Sequence, residues 1–111
     1  MARKTIKVGD QDIDMVANAF TPVVYQKTYH KDVFLETQKK DKSLGFTQEL
    51  AYVMMMQATD KTAKELTELT IDEFYEWLMT LSAMDIMLAS QEILELFYGQ
   101  TAPKSKPKKK A

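Results

Sequence analysis

A mainly helical domain, opening on a small β-hairpin and closing on a disordered basic tail, is the fold class that this sequence predicts. Three observations predict it. Apolar and polar residues alternate over about residues 4–16, the period-two signature of strands. After residue 21, apolar residues recur at helical spacing behind residues suited to capping. The last ten residues hold five lysines, two prolines and no large apolar side chain, a composition that cannot bury enough surface to fold alone. Residues 1–99 are therefore read as one compact helical domain and 100–111 as the tail.

In the hairpin, Ile6 and Val8 alternate with Thr5 and Lys7, and Ile13 and Met15 with Asp12 and Asp14. Gly9-Asp10 offers a turn with glycine at its first central position. A turn one residue later would pair Val8 with Ile13 and Lys7 with Asp14, which suits the side chains better; both registers stay open. Thr21-Pro22 announces the first helix, since threonine can cap and proline suits the first turn. It carries Val23, Val24 and Tyr25 towards Tyr29. Asp32 is the expected cap of a short second helix with Val33, Phe34 and Leu35. Lys39 to Ser43 read as a solvated connection with Gly45 inside it.

Thr47 is the expected cap of a third helix, ELAYVMMMQA, which is apolar almost all round. Such a helix is central to a core or partly covered by a partner. Asp60 to Leu69 is more polar, a shorter helix or an irregular link. Thr70-Ile71-Asp72-Glu73 has the form of a capping box, and Ile71, Phe74, Tyr75 and Leu78 follow on one stripe. Ser82 is the expected cap of the last helix, with Asp85 favourable in its first turn. Ile86, Ala89, Ile93 and Leu96/Phe97 form its apolar stripe, and Gly99 is its expected stop.

With 111 residues, the chain can bury roughly two-thirds of the surface its unfolded form exposes. It has no cysteine, which rules out disulfides and thiolate metal sites and fits a reducing compartment. The opening MARKTIKVGD has no apolar run, so no signal peptide is expected, and no stretch approaches the roughly 20 apolar residues of a membrane helix. Setting aside the five tail lysines leaves 10 basic and 16 acidic side chains, a body of net charge −6. Such a body repels phosphates, which argues against nucleic-acid binding.

Catalytic and cofactor patterns fail one by one. The single histidine, His30, sits beside a lysine at an expected helix end and has no partner in sequence for nucleophilic or metal chemistry. Asp10, Asp12 and Asp14 open like a calcium loop, but Met15 and Thr21 stand where such a loop needs glycine and glutamate. Three glycines make no phosphate loop. The expectation is a binding protein without catalytic residues, metal or cofactor. Its candidate surface comes from the eight methionines, whose flexible, polarizable side chains adapt to irregular apolar partners. Met54, Met55 and Met56 are consecutive, so at least one must approach the surface. With Tyr52, Tyr75, Trp77, Met84 and Met87 they form the candidate protein-binding set. Polar substitution on the exposed side of Met54–Met56 is expected to weaken binding without unfolding the domain.

The strand pair KTIKVGDQDIDM leading into AFTPVVYQKTYHKDVF, then ELAYVMMMQA and TIDEFYEWL, resembles the tail assembly chaperones of long-tailed bacteriophages, especially those infecting Gram-positive bacteria. The resemblance covers about residues 4–98. It implies a protein of the host cytoplasm, absent from the mature virion. Such a protein binds the tape measure protein, keeps it soluble and is displaced as the tail tube protein polymerises. It also implies possible self-association into higher oligomers. Many members of that family have a longer form made by ribosomal frameshifting, and Lys108-Lys109-Lys110 suits the A-rich codons of a slippery run. Two other readings stand beside it. A nucleic-acid-associated regulator would use the lysine tail and lose binding with salt or on deletion of residues 104–110. A secretion-type chaperone shares the small size and acidity.

Overall fold

The structure, a computed structural model, describes residues 2–39 and 44–101, for residues 100 and 101 the backbone alone. Most of the expected lysine-rich connection and of the expected basic tail lies outside the described residues. Among the described residues the architecture is a two-stranded antiparallel hairpin followed by six helices: β1 Ala2–Val8, β2 Gln11–Ala17, α1 Thr21–Tyr29, α2 Val33–Thr37, α3 Leu44–Gln57, α4 Ala63–Leu66, α5 Ile71–Leu78 and α6 Asp85–Thr101. No helix among the described residues is long and apolar enough to cross a membrane.

The hairpin takes the register with Val8 opposite Gln11, Ile6 opposite Ile13 and Thr5 opposite Asp14. The competing register is shifted by two residues and would bury the same face, so the apolar pattern does not choose between them. The turn chooses. Gly9 has φ 65°, and His30 is the one non-glycine residue of positive φ among those described. A two-residue turn with glycine first avoids the steric cost that Asp10 would meet in that position. On the outer face, the Thr5 hydroxyl and the Arg3 guanidinium (3.3 Å) donate to Asp14. Those two bonds, Thr5 first, hold the Asp14 carboxyl below its ordinary range.

The hairpin's inner face lies over two helices, β1 along α6 and β2 along α3, and α3 also packs against α1, α5 and α6. Ile6, Val8, Ile13 and Met15 meet Leu50, Val53 and Met54 of α3 and Ile86, Ile93 and Phe97 of α6 in one core. The α6 stripe expected from sequence, Ile86, Ala89, Ile93, Leu96 and Phe97, is buried throughout.

Several element ends differ from expectation, each for a physical reason. Helix α1 starts at Thr21 itself, after Phe20, whose side chain makes no cap bond. Thr21 is buried and closes a ring of polar bonds. Asn18 N–H donates to Thr21 Oγ1 (3.0 Å), the Thr21 hydroxyl to Gln57 Oε1 (2.6 Å), and Gln57 Nε2 to Asn18 Oδ1 (3.0 Å). That ring ties the β2–α1 corner to the end of α3. Helix α3 starts before Thr47 and contains Gly45, because Phe46 buries against Tyr25 at 6.0 Å and draws the first turn into the core. Ser82 stands two turn residues ahead of α6, and its N–H donates to the Asp85 carboxylate (2.9 Å). Helix α6 continues through Gly99 to Thr101; a glycine inside a helix costs only about 1 kcal/mol and does not by itself end it.

Other signals hold. Asp32 accepts from Phe34 N–H at 2.8 Å. Thr70 and Glu73 form the expected capping box of α5. A second box, Thr62 with Glu65, starts the four-residue α4 inside the segment read as a short helix or link. His30 is exposed at the end of α1, with φ 59°.

Three substitutions test these assignments by thermal or urea unfolding. Gly9→Ala is expected to cost at least about 1–2 kcal/mol for its left-handed backbone, because the new methyl would also sit 2.6 Å from Asp85 Oδ2. Gly99→Ala, where a methyl meets nothing within 4 Å, is expected to stabilise by about 0.5–1 kcal/mol. Thr70→Ala is expected to cost about 1 kcal/mol. A Gly9→Ala chain as stable as the parent would contradict the observed turn.

Candidate functional site

The eight candidate residues separate into an inner and an outer group. Tyr52 and Met54 are in the core, at 2% and 0% exposure, and neither can meet a partner without opening the fold. The cause is the position of α3, which is covered by β2, α1, α5 and α6 together. Residues 52 and 54 project about 200° apart on a helix and are buried all the same. Met55, Met56 and Trp77 are half-buried against the core. Trp77 lies on Tyr52, with ring centroids 5.6 Å apart. Met54 therefore drops out of any surface test, whereas Met55 and Met56 keep a partial exposure.

Tyr75, Met84 and Met87 form the outer group, at 56%, 50% and 43% exposure. Two more exposed residues, outside the expected set, join them: Met79 at 83% and Leu88 at 77%. Met84, the turn residue just ahead of α6, and Met87 and Leu88 on its outside fall at i, i+3 and i+4, and Gln91, Glu92 and Glu95 continue that exposed stripe. Helix α5 carries a stripe of the same kind, Asp72, Tyr75, Glu76 and the capping Met79, at i, i+3, i+4 and i+7. On both helices, apolar and acidic side chains share the solvent face.

The charge of this half of the chain is one-sided. No lysine, arginine or histidine occurs between Lys64 and Lys104, where eight carboxylates stand. Lys4 reaches Glu92 from β1 at 3.1 Å, and Lys64 pairs with Glu68 at 2.8 Å. Among the described residues no ion pair holds Asp72 or Glu76. The signal was present in the sequence, as a gap in one residue type across α5 and α6.

Beneath this surface, aromatic rings join α1, α3 and α5. Tyr25–Tyr29, Tyr29–Phe74 and Tyr52–Phe74 have centroids 4.9, 5.2 and 5.5 Å apart. Glu49 of α3 anchors the polar ends. The Tyr25 hydroxyl donates to its Oε1 (2.6 Å), Lys31 Nζ pairs with Oε2 (2.9 Å), and the Tyr29 hydroxyl donates to its carbonyl (2.8 Å). Tyr29, Lys31 and Glu49, with Phe74, Tyr75 and Leu78, border a cleft of about 360 Å³ between α3 and α5. Burial pushes the Tyr25 and Tyr29 hydroxyls well up, and the adjacent Glu49 carboxylate adds to the shift. Burial, then Glu73 and Glu76, pushes Tyr52 up to about 12.

Comparison with protein-family models, curated proteins and solved structures finds no match for this chain.

The tyrosines set a pH limit. Tyr25, Tyr29 and Tyr52 are each neutral in the fold and have a folded pKa above the unfolded value of about 10. The stability this represents is fully present below pH about 10 and is lost as the pH rises through the folded values, towards about 12 for Tyr52. The melting temperature is expected to fall across that window, with phenolate absorbance of the buried tyrosines appearing together with loss of helical circular dichroism. Ionisation of Tyr25, Tyr29 and Tyr52 in a chain that stays helical would contradict their burial.

Proposed function

We propose that this protein is a holding chaperone of the tail assembly type. It binds the tape measure protein in the host cytoplasm, keeps that long apolar helical client soluble, and leaves as the tail tube protein polymerises around it. The observation that carries this reading is the Met84–Met87–Leu88 stripe, joined in composition by Tyr75 and Met79. The core is already filled by other side chains, so these residues are left over for a partner. A contiguous exposed apolar strip on a small protein marks an interaction surface. Methionine suits a client of irregular shape, because its thioether chain repacks at low cost. The resemblance of the strand pair and of the α3 and α5 segments to tail assembly chaperones supplies the identity of the client.

The physics of release supports the same role. Full burial of a Leu or Met side chain contributes about 1.5–3 kcal/mol, and association consumes at least about 4 kcal/mol of that gain. Three or four such residues therefore leave at most about 5–8 kcal/mol, an affinity of micromolar or weaker, which a growing tube can outcompete. The acidic body keeps the free chaperone soluble while its apolar stripe is uncovered.

Co-expression with a tape measure protein tests the assignment. The client is expected to be soluble with this chain and to aggregate without it. Leu88→Ser and Met87→Ser are expected to lower the co-purified client about tenfold or more while shifting the melting temperature by no more than about 4 °C, since a surface change costs up to about 0.5 kcal/mol. Met54→Ser is expected to destabilise by about 2–5 kcal/mol, as removal of a buried methionine does. A client equally soluble in the absence of this chain would refute the proposal.

A further inference from the structure

We infer that the outer face of α6 selects, by charge, a basic amphipathic helix: one whose apolar stripe is flanked by lysine or arginine. This rests on the holding role proposed above and deepens it by naming the chemistry of the bound segment. Two features of the face lead to it. Its first half is apolar, Met84, Met87 and Leu88, and its second half is polar and acidic, Gln91, Glu92 and Glu95. A partner helix lying along this stripe would bury its own apolar residues on the first half and meet carboxylates on the second. From Met84 to Glu95 the stripe runs about 16 Å, or three helical turns, enough to seat a partner's i, i+3, i+4 and i+7 positions.

The surroundings narrow the occupant. With no basic residue between Lys64 and Lys104, the cation seen at the stripe among the described residues is Lys4 on Glu92; Glu92 and Glu95 together outweigh it, and the face repels an acidic helix. Two copies of this face are poorly matched as well: packed parallel they set carboxylate against carboxylate, and packed antiparallel they set the carboxylates of each on the apolar half of the other. The chain's own residues 102–111 match the charge, with five lysines, but contain no large apolar side chain and leave Met84, Met87 and Leu88 uncovered. A segment that is both apolar and basic satisfies the whole stripe. The Glu92–Lys4 pair is no obstacle: both side chains are nearly half exposed, and such surface pairs exchange partners at little cost.

Three labelled synthetic helical peptides test this on the full chain by fluorescence anisotropy. One has leucines at i, i+3, i+4 and i+7 with lysine flanks, the second the same leucines with glutamate flanks, and the third lysine flanks with serine replacing leucine. In low salt the first is expected to bind about tenfold tighter than the second, the sum of a few rim ion pairs. In about 1 M salt the preference is expected to shrink to about twofold or less, as the Debye length falls to about 3 Å. The Glu92→Gln/Glu95→Gln chain, checked for unchanged helical content, is expected to lose the preference and keep the binding of the glutamate-flanked peptide. Leu88→Ser is expected to weaken both leucine peptides. Equal affinity for the first two peptides would overturn charge selection and leave the holding role standing. Binding of the serine peptide as tight as the first would overturn the amphipathic requirement. Failure of all three peptides to bind would overturn this inference, while client solubility in co-expression decides the holding role separately.

Discussion

The fold depends on one constraint, the burial of a helix with no polar face. From Phe46 to Met54, α3 carries buried residues on every side, and a helix of that kind is stable in water only when other elements surround it. The rest of the chain supplies the cover. Strand β2 and helices α1, α5 and α6 each pack against it. The hairpin would be marginal alone, but it gains stability as a lid over α3 and α6. The short helices α2 and α4 need not be stable alone, since packing rather than propensity holds most helices in proteins.

Because α3 contributes little polarity, the few polar groups at its ends settle how the cover attaches. Gln57 at its end closes the ring with Asn18 and Thr21, and Glu49 nearer its start gathers Tyr25, Tyr29 and Lys31. Both bind α1 or the residues next to it. Hydrogen bonds to a charged carboxylate are worth more than neutral ones, and bonds made at fixed positions specify one packing among the several that apolar contact allows. Tyr29 and Phe74, 5.2 Å apart, carry the same attachment on to α5.

The same constraint accounts for the outer surface. Once α3 is covered, the α5 and α6 faces turned away from it have nothing left among the described residues to pack against, yet they carry Tyr75, Met79, Met84, Met87 and Leu88. Their acidic neighbours keep this surface soluble and, in the proposed role, choose what docks there. In that role, stability and binding lie on opposite sides of the same two helices. That division lets Leu88 change without loss of the core, and it makes Met54 a residue of the fold rather than of the surface.

Much of the fold was legible from local chemistry. Strand alternation, the Asp32 cap, the Thr70–Glu73 box and the α6 core stripe all depend on neighbours within a few residues, so spacing alone reveals them. The acidic, cysteine-free body and the all-round apolar character of α3 were equally plain. What the tertiary structure decided were matters of distant contact. Both hairpin registers bury one face, and the choice fell to Gly9, whose turn lies against Asp85. Thr21 has the chemistry of a cap, but it serves a ring closed by Gln57, 36 positions away. Among the methionines, side-chain chemistry is identical at Met54 and Met84, and only the presence or absence of a covering element makes one core and the other surface. Sequence by itself determined which residues want to be buried; the packing around α3 decided which of them are, because that helix can be covered on all sides only by leaving the outer faces of α5 and α6 bare.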